Sequence, residues 1–152
     1  MNIKKLQIEQ LESRIGLFSR TLQLPNPPTG WVKAIRLALG MSLQQLANKM
    51  SITNQSVQEI EKREKKGAIT IKSLRETARA LEMELVYGFV PVDGSLEKYI
   101  DKKARTLAKK IVSRTSNIMR LEDQENTNQR IEKAIKDRTA RIKQELPKAL
   151  WD

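Results

Sequence analysis

The sequence predicts an all-α fold with one short strand, and three observations carry that prediction. Apolar residues recur at alternating steps of three and four over most of the chain, the spacing of helices that bury one stripe. Only 4% of the residues are aromatic, and 6 glycines and 5 prolines leave long stretches without a breaker. Ser or Thr stands directly before several apolar runs, where a helix N-cap belongs. At 152 residues, 39% hydrophobic and 31% charged, the chain can bury a modest core of Leu, Ile, Val, Met and Ala.

An N-terminal helix is expected within 1–24, because Ile8, Leu11, Ile15, Phe18 and Leu22 form one apolar stripe. That stripe is a docking face, for the C-terminal helices or for another subunit. Leu24-Pro25-Asn26-Pro27-Pro28-Thr29-Gly30 ends the helix and makes a stiff linker. A five-helix domain is expected over 29–92, with clear punctuation for four of its helices. Trp31–Leu39 has Thr29 as N-cap and Gly40 as its left-handed stop. Ser42 with Gln45 forms a capping box for a helix running to about Lys49. Thr53 caps Asn54–Glu61, the charged loop Lys62–Gly67 follows, and Thr70 opens Ile71–Leu81.

Leu85-Val86-Tyr87-Gly88-Phe89-Val90 is apolar, β-branched and aromatic, and reads as the one strand. A lone strand leaves its own edges unpaired, so it either pairs with its copy across a dimer axis or lies along the core as an irregular segment. Residues 95–152 read as a helical hairpin. Ser95 caps a helix over 96–121 striped by Leu96, Ile100, Ala104, Leu107, Ile111, Ile118 and Leu121. A polar break at Glu122–Asn128 precedes a helix over 129–146 with Ile131, Ile135, Ile142 and Leu146.

Composition removes several function classes. The chain has no Cys and no His, so disulfides, Cys/His zinc sites, thiol nucleophiles and Ser-His-Asp triads are excluded. Glu59, Glu61 and Glu64 are close in sequence but have no apolar setting that would make them acid–base catalysts, and no Gly-rich phosphate loop occurs. A non-enzymatic protein without cofactors is expected. No apolar run reaches the ~20 residues of a membrane span, and the first residues lack a signal-peptide apolar region. A cytoplasmic location is therefore expected. The net charge is +11, with fourteen cations against nine anions in 1–94 and fifteen against nine in 95–152. Basicity spread in this way favours polyanionic partners.

The stretch from Ser42 to Glu61 carries the functional signal. Leu46, Ala47, Met50, Ile52, Val57 and Ile60 can pack inside, and the small Ala47 lets two helices approach closely across the Met50-Ser51-Ile52 turn. Thr53, Asn54, Gln55, Gln58 and Lys62 then point outward. Each Asn or Gln amide offers one donor and one acceptor group, as bidentate pairing with adenine N6 and N7 requires. At the start of a helix, Asn54 and Gln55 stand where base edges come closest in the major groove. Ser42, Gln44 and Thr53, with Lys62, Arg63, Lys65 and Lys66, are placed for the phosphate backbone.

Leu46-Ala47, Thr53-Asn54-Gln55-Ser56-Val57 and Ile60-Glu61 resemble the Xre/Cro-type helix-turn-helix family over Trp31 to about Leu85. The resemblance implies base-reading roles for Asn54, Gln55 and Gln58, and backbone roles for Ser42, Thr53 and Lys62. Leu43 stands where such repressors often carry a Gln that supports the first reading residue. A narrower resemblance covers nearly the whole chain. Gln7–Leu11, Pro28–Trp31, Ile35–Ser42, Gly67–Leu74 and Leu85–Pro91 look like the family called mobile mystery protein A. Its members are small bacterial regulators found beside a Fic-domain partner, which implies an antitoxin-like repressor of a two-gene operon. In some Fic antitoxins an inhibitory helix bears a hydroxyl residue ahead of Glu-Asn or Glu-Gly. Here Glu125-Asn126 has Leu121 at the hydroxyl position, so that motif is unmatched.

The expected function is sequence-specific DNA-binding regulation by a homodimer on an operator with two half-sites. The alternative is an interaction module, housed in 95–152, that neutralises a partner enzyme. The basic run Lys98, Lys102, Lys103, Arg105, Lys109, Lys110 and Arg114 suits flanking DNA, an acidic partner or a solvated face.

Overall fold

The structure is a computed structural model and describes residues 2–122 and 128–152. These residues form seven α-helices and no strand. The helices are α1 (Ile3–Phe18), α2 (Trp31–Ala38), α3 (Leu43–Met50), α4 (Asn54–Lys66), α5 (Ile71–Ala80), α6 (Leu96–Glu122) and α7 (Asn128–Glu145). Short 3-10 turns follow α1 at Ser19–Gln23 and α7 at Lys148–Trp151. The chain divides into two compact units, Leu22–Gly88 and Met1–Thr21 with Phe89–Asp152.

The first unit holds α2 to α5, four helices where the sequence suggests five. Its core is Val32, Leu46, Ala47 and Val57, with Met50, Ile52, Ile60, Leu74 and Leu81 packed around them. Leu46, Ala47 and Val57 have no exposed surface, as the inward-facing reading of this stretch requires. A buried ion pair ties α2 to α4: Arg36 Nε donates to Glu61 Oε1 at 2.6 Å, and Arg36 Nη1 donates to the Met41 carbonyl at 3.0 Å. This satisfies two charges that burial alone would penalise heavily.

Three local readings are corrected. The first concerns α2, which Thr29 does not cap; Gly30 occupies the N-cap position with no side-chain cap of its own. The cap comes from α4, where the Glu64 carboxylate accepts from Trp31 N at 3.0 Å and Val32 N at 2.8 Å. Gly30 admits it, since a Cβ there would lie 2.8 Å from Glu64 Oε1. The second concerns Lys62–Lys66, which are helical, so the expected charged loop is the end of α4. Nothing before Gly67 breaks the helix, cations in its last turn favour the dipole, and Gly67 ends it in the left-handed region at φ 73°.

The third correction removes the strand over 85–90, which is irregular backbone. Leu85 is half-buried, and with Trp31, Val32, Leu74 and Leu81 it lines a cavity of about 250 Å³. Within one chain the segment has no second edge to pair with, so packing of alternate side chains cannot make it a sheet. The other boundaries follow the sequence closely. Ser42 and Gln45 form the reciprocal capping box, and Thr53 and Thr70 accept from the N–H groups of Ser56 and Ser73.

In the second unit α6 and α7 pack along one another as a hairpin. Ile100, Ala104, Ala108, Ile142 and Leu150 form its core, joined by Ile8, Leu107, Ile111, Ile135 and Leu146. The N-terminal stripe thus docks on the C-terminal helices through Ile8, while Leu11 stays exposed. Helix α1 is fixed at both ends. Asn2 Nδ2 donates to the Gln144 carbonyl at 2.9 Å, and Glu12 Oε2 accepts from Leu96 N at 2.9 Å at the start of α6. Ser95 accepts from Lys98 N, completing that cap. The Trp151 ring stacks on Tyr99 with centroids 5.7 Å apart. The side chains of Ile118 and Leu121, and the residues 123–127 that include Glu125-Asn126, lie outside the described residues.

Candidate nucleic-acid interface

Helix α3 and helix α4 meet through a turn that the local sequence builds. Ser51 adopts the left-handed conformation at φ 55°, its N–H bonds the Asn48 carbonyl, and Ile52 N bonds the Ala47 carbonyl at 3.0 Å. These bonds satisfy the last carbonyls of α3 and swing the chain into α4. With Ala47 fully buried, no side chain holds the two helices apart at their crossing. Helix α4 therefore lies packed on one side and open on the other.

Taking 100° per residue from Asn54, the positions Asn54, Lys65, Gln58, Lys62, Gln55 and Lys66 fall within an arc of about 120°. All six are exposed. Val57, Ile60, Glu61 and Glu64 occupy the opposite arc and face the body of the unit, as their burial records. One face of a single helix thus carries amides at its start and ammonium groups toward its end.

The state of each polar group decides what it can offer. Among the described residues, none hydrogen-bonds the side-chain amides of Asn54, Gln55 or Gln58. Thr53 behaves differently. Its hydroxyl oxygen accepts from Ser56 N at 3.1 Å and pairs with Ser56 Oγ at 2.8 Å, so the hydroxyl builds the cap. The backbone N–H groups of Asn54 and Gln55, in the first turn of α4, remain the groups available to an anion there. Ser42 Oγ accepts from Gln45 N at 3.1 Å, which leaves its own proton to donate outward. Gln44 Nε2 donates to Asn48 Oδ1 at 2.8 Å, so part of its amide is engaged within α3. Arg63 meets Glu59 at 3.6 Å on the exposed surface and points off the reading arc. Such a pair contributes little and yields easily to a stronger anion.

Extension of α4 to Lys66 brings together what the sequence alone spreads over a loop. Lys62 and Lys65 line a polar depression of about 400 Å³ with Thr29, Lys33 and Gln58. The Arg36–Glu61 pair also lines it. Lys33 was missed by sequence reasoning. It sits one turn before Arg36 on α2, and its only sequence signal is that spacing.

The family comparison bears on this geometry. Residues 32–87 match the family model described as Helix-turn-helix. They form an Xre/Cro-type helix-turn-helix domain. The match begins in α2 and ends past α5, so it contains α3, the turn and α4 entire. Comparison with curated proteins finds no match to the chain, and comparison with solved structures finds none either. The domain makes the chain a DNA-binding regulator in kind. No helix among the described residues is long and apolar enough to cross a membrane.

Proposed function

We propose that the protein is a sequence-specific transcriptional repressor that docks α4 of its helix-turn-helix domain in the major groove of operator DNA. Asn54, Gln55 and Gln58 read base edges. Ser42, Gln44, Thr53 and the first backbone N–H groups of α4 meet one run of phosphates, and Lys62, Arg63, Lys65 and Lys66 meet another. The single observation that carries the reading is the row of three exposed amide side chains on α4, unengaged among the described residues, beside a cluster of ammonium groups on the same arc. An amide held by its own chain would have to break a bond before pairing with a base; these have none to break.

The protein acts as a homodimer on two half-sites, because a single short helix reads too few base pairs to select one site in a genome. The half-sites lie one helical turn apart, roughly 34 Å, or a multiple of it. The resemblance to mobile mystery protein A supports repression of the protein's own operon, with a Fic-domain protein as the neighbouring product and antitoxin-like control of it. An interaction module that neutralises an enzyme, with DNA binding secondary, would instead leave the amide row without a use.

The test is the Asn54→Ala, Gln55→Ala double variant on duplex recovered by selection from a randomised pool. Two lost bidentate contacts at about 1–3 kcal/mol each lower specific affinity by roughly 30-fold to 10⁴-fold. Affinity for unrelated duplex is unchanged. A double variant that protects the selected site like the parent would refute the assignment.

A further inference from the structure

Helix α6 carries a second charged face that the helix-turn-helix domain does not use. Lys98, Lys102, Arg105 and Lys109 follow one another at steps of four, three and four, which places them within an arc of about 60° over about 16 Å of helix. All four are exposed. Two are only lightly held: Lys102 meets Asp93 at 3.4 Å and Arg105 meets Asp101 at 3.2 Å, and both cations remain more than half exposed. Beside them, Arg105 and Lys109 share an open groove of about 630 Å³ with Lys136 and Lys143 of α7, where Asp101 and Glu132 are the acidic groups. The row is thus widened by a second helix of the same unit.

What this face lacks is as informative as its charge. Among the described residues, the large exposed hydrophobics end at Val92 and resume only at Trp151, so none lies on α6 or α7. A protein partner draws its affinity from a desolvated centre of aromatic or aliphatic anchors, and lysines are depleted there. A phosphate backbone needs no such centre. It rewards cations that release condensed counterions, at fixed spacing and without burial. We propose that the Lys98–Lys102–Arg105–Lys109 row is a second DNA-binding surface, which holds the phosphate backbone without reading sequence. The surface rests on DNA being the partner of this chain, but it does not rest on the roles given to Asn54 and Gln55.

The experiment measures binding of the full-length protein to two 40-base-pair duplexes, one of mixed unrelated sequence and one recovered by selection, across a range of salt. Replacing the row in K98Q/K102Q/R105Q/K109Q is expected to reduce the slope of log affinity against log salt by about 3 to 4, near 0.9 per lost phosphate contact. The reduction is the same on both duplexes, so the ratio between them survives. The arginine-for-lysine variant K98R/K102R/K109R retains the parental slope. A control, K103Q/K110Q/R114Q, removes three charges from another arc of α6 and leaves the slope near the parental value. Equal losses from both glutamine variants would mean that only total charge matters, and would overturn the proposal. So would an unchanged slope in the first variant combined with lost retention on polyglutamate, which would mark the row as a site for an acidic polypeptide. Failure of base reading looks different: the parent then shows no preference for the selected duplex, while the slope difference persists.

Discussion

Replacing Arg36 by Ala would leave the Glu61 carboxylate buried without its partner. Both side chains are 8% exposed, and the guanidinium supplies bonds to both Glu61 oxygens as well as to the Met41 carbonyl. Breaking a buried pair of this kind from one side costs about 3–5 kcal/mol, because the surviving charge has neither water nor a counter-ion. In a domain of 60–100 residues each kcal/mol lowers Tm by roughly 4–8 °C, so a fall of at least about 12 °C is expected. The two units of the chain need not melt together. The assay is therefore Trp31 fluorescence during heating, in a Trp151→Phe background that leaves one reporter inside α2. Arg36→Met combined with Glu61→Leu removes both charges, and it should restore most of the loss or exceed the parent. A single variant that melts within about 4 °C of the parent, equivalent to less than about 1 kcal/mol, would refute the view that this pair is desolvated and essential to the α2–α4 contact.

Glu64→Ala removes the carboxylate that caps α2 and is expected to cost about 1–2 kcal/mol by urea unfolding of the same reporter, with Glu64→Gln costing less. Ala104→Leu forces extra volume into a position with no exposed surface in the hairpin core, and a loss of about 1–3 kcal/mol is expected in unfolding followed by Tyr99–Trp151 fluorescence. Lys33→Gln should lower the salt slope of DNA binding by about 0.9 without changing the preferred sequence, and an unchanged slope would remove the depression beside α4 from the phosphate-contacting set.

Much of the helix-turn-helix domain was legible in the residues because its determinants are local. Capping hydroxyls at Ser42, Thr53 and Thr70 and the apolar stripe through Leu46, Val57 and Ile60 act within a few positions of themselves. The outward row of amides follows from the same periodicity, since fixing which side of α4 is buried fixes which side is open. The same holds for α6 and α7, whose period marks the faces that meet.

Tertiary structure decided what depends on groups far apart in the chain. Glu64 caps a helix more than thirty residues upstream, and Arg36 and Glu61 are paired across a similar interval, which no local spacing reveals. The 85–90 segment has strand-like composition, but a strand exists only where another edge accepts its hydrogen bonds, and this chain offers it a helical surface instead. Lys62–Lys66 read as a loop from charge alone; the uninterrupted α4 ladder up to Gly67 keeps them helical and brings Lys62 and Lys65 beside Lys33. Short-range propensities thus set the helices and their exposed chemistry. Long-range packing, which satisfies the polar groups those helices leave over, set their ends and the cations that gather around α4.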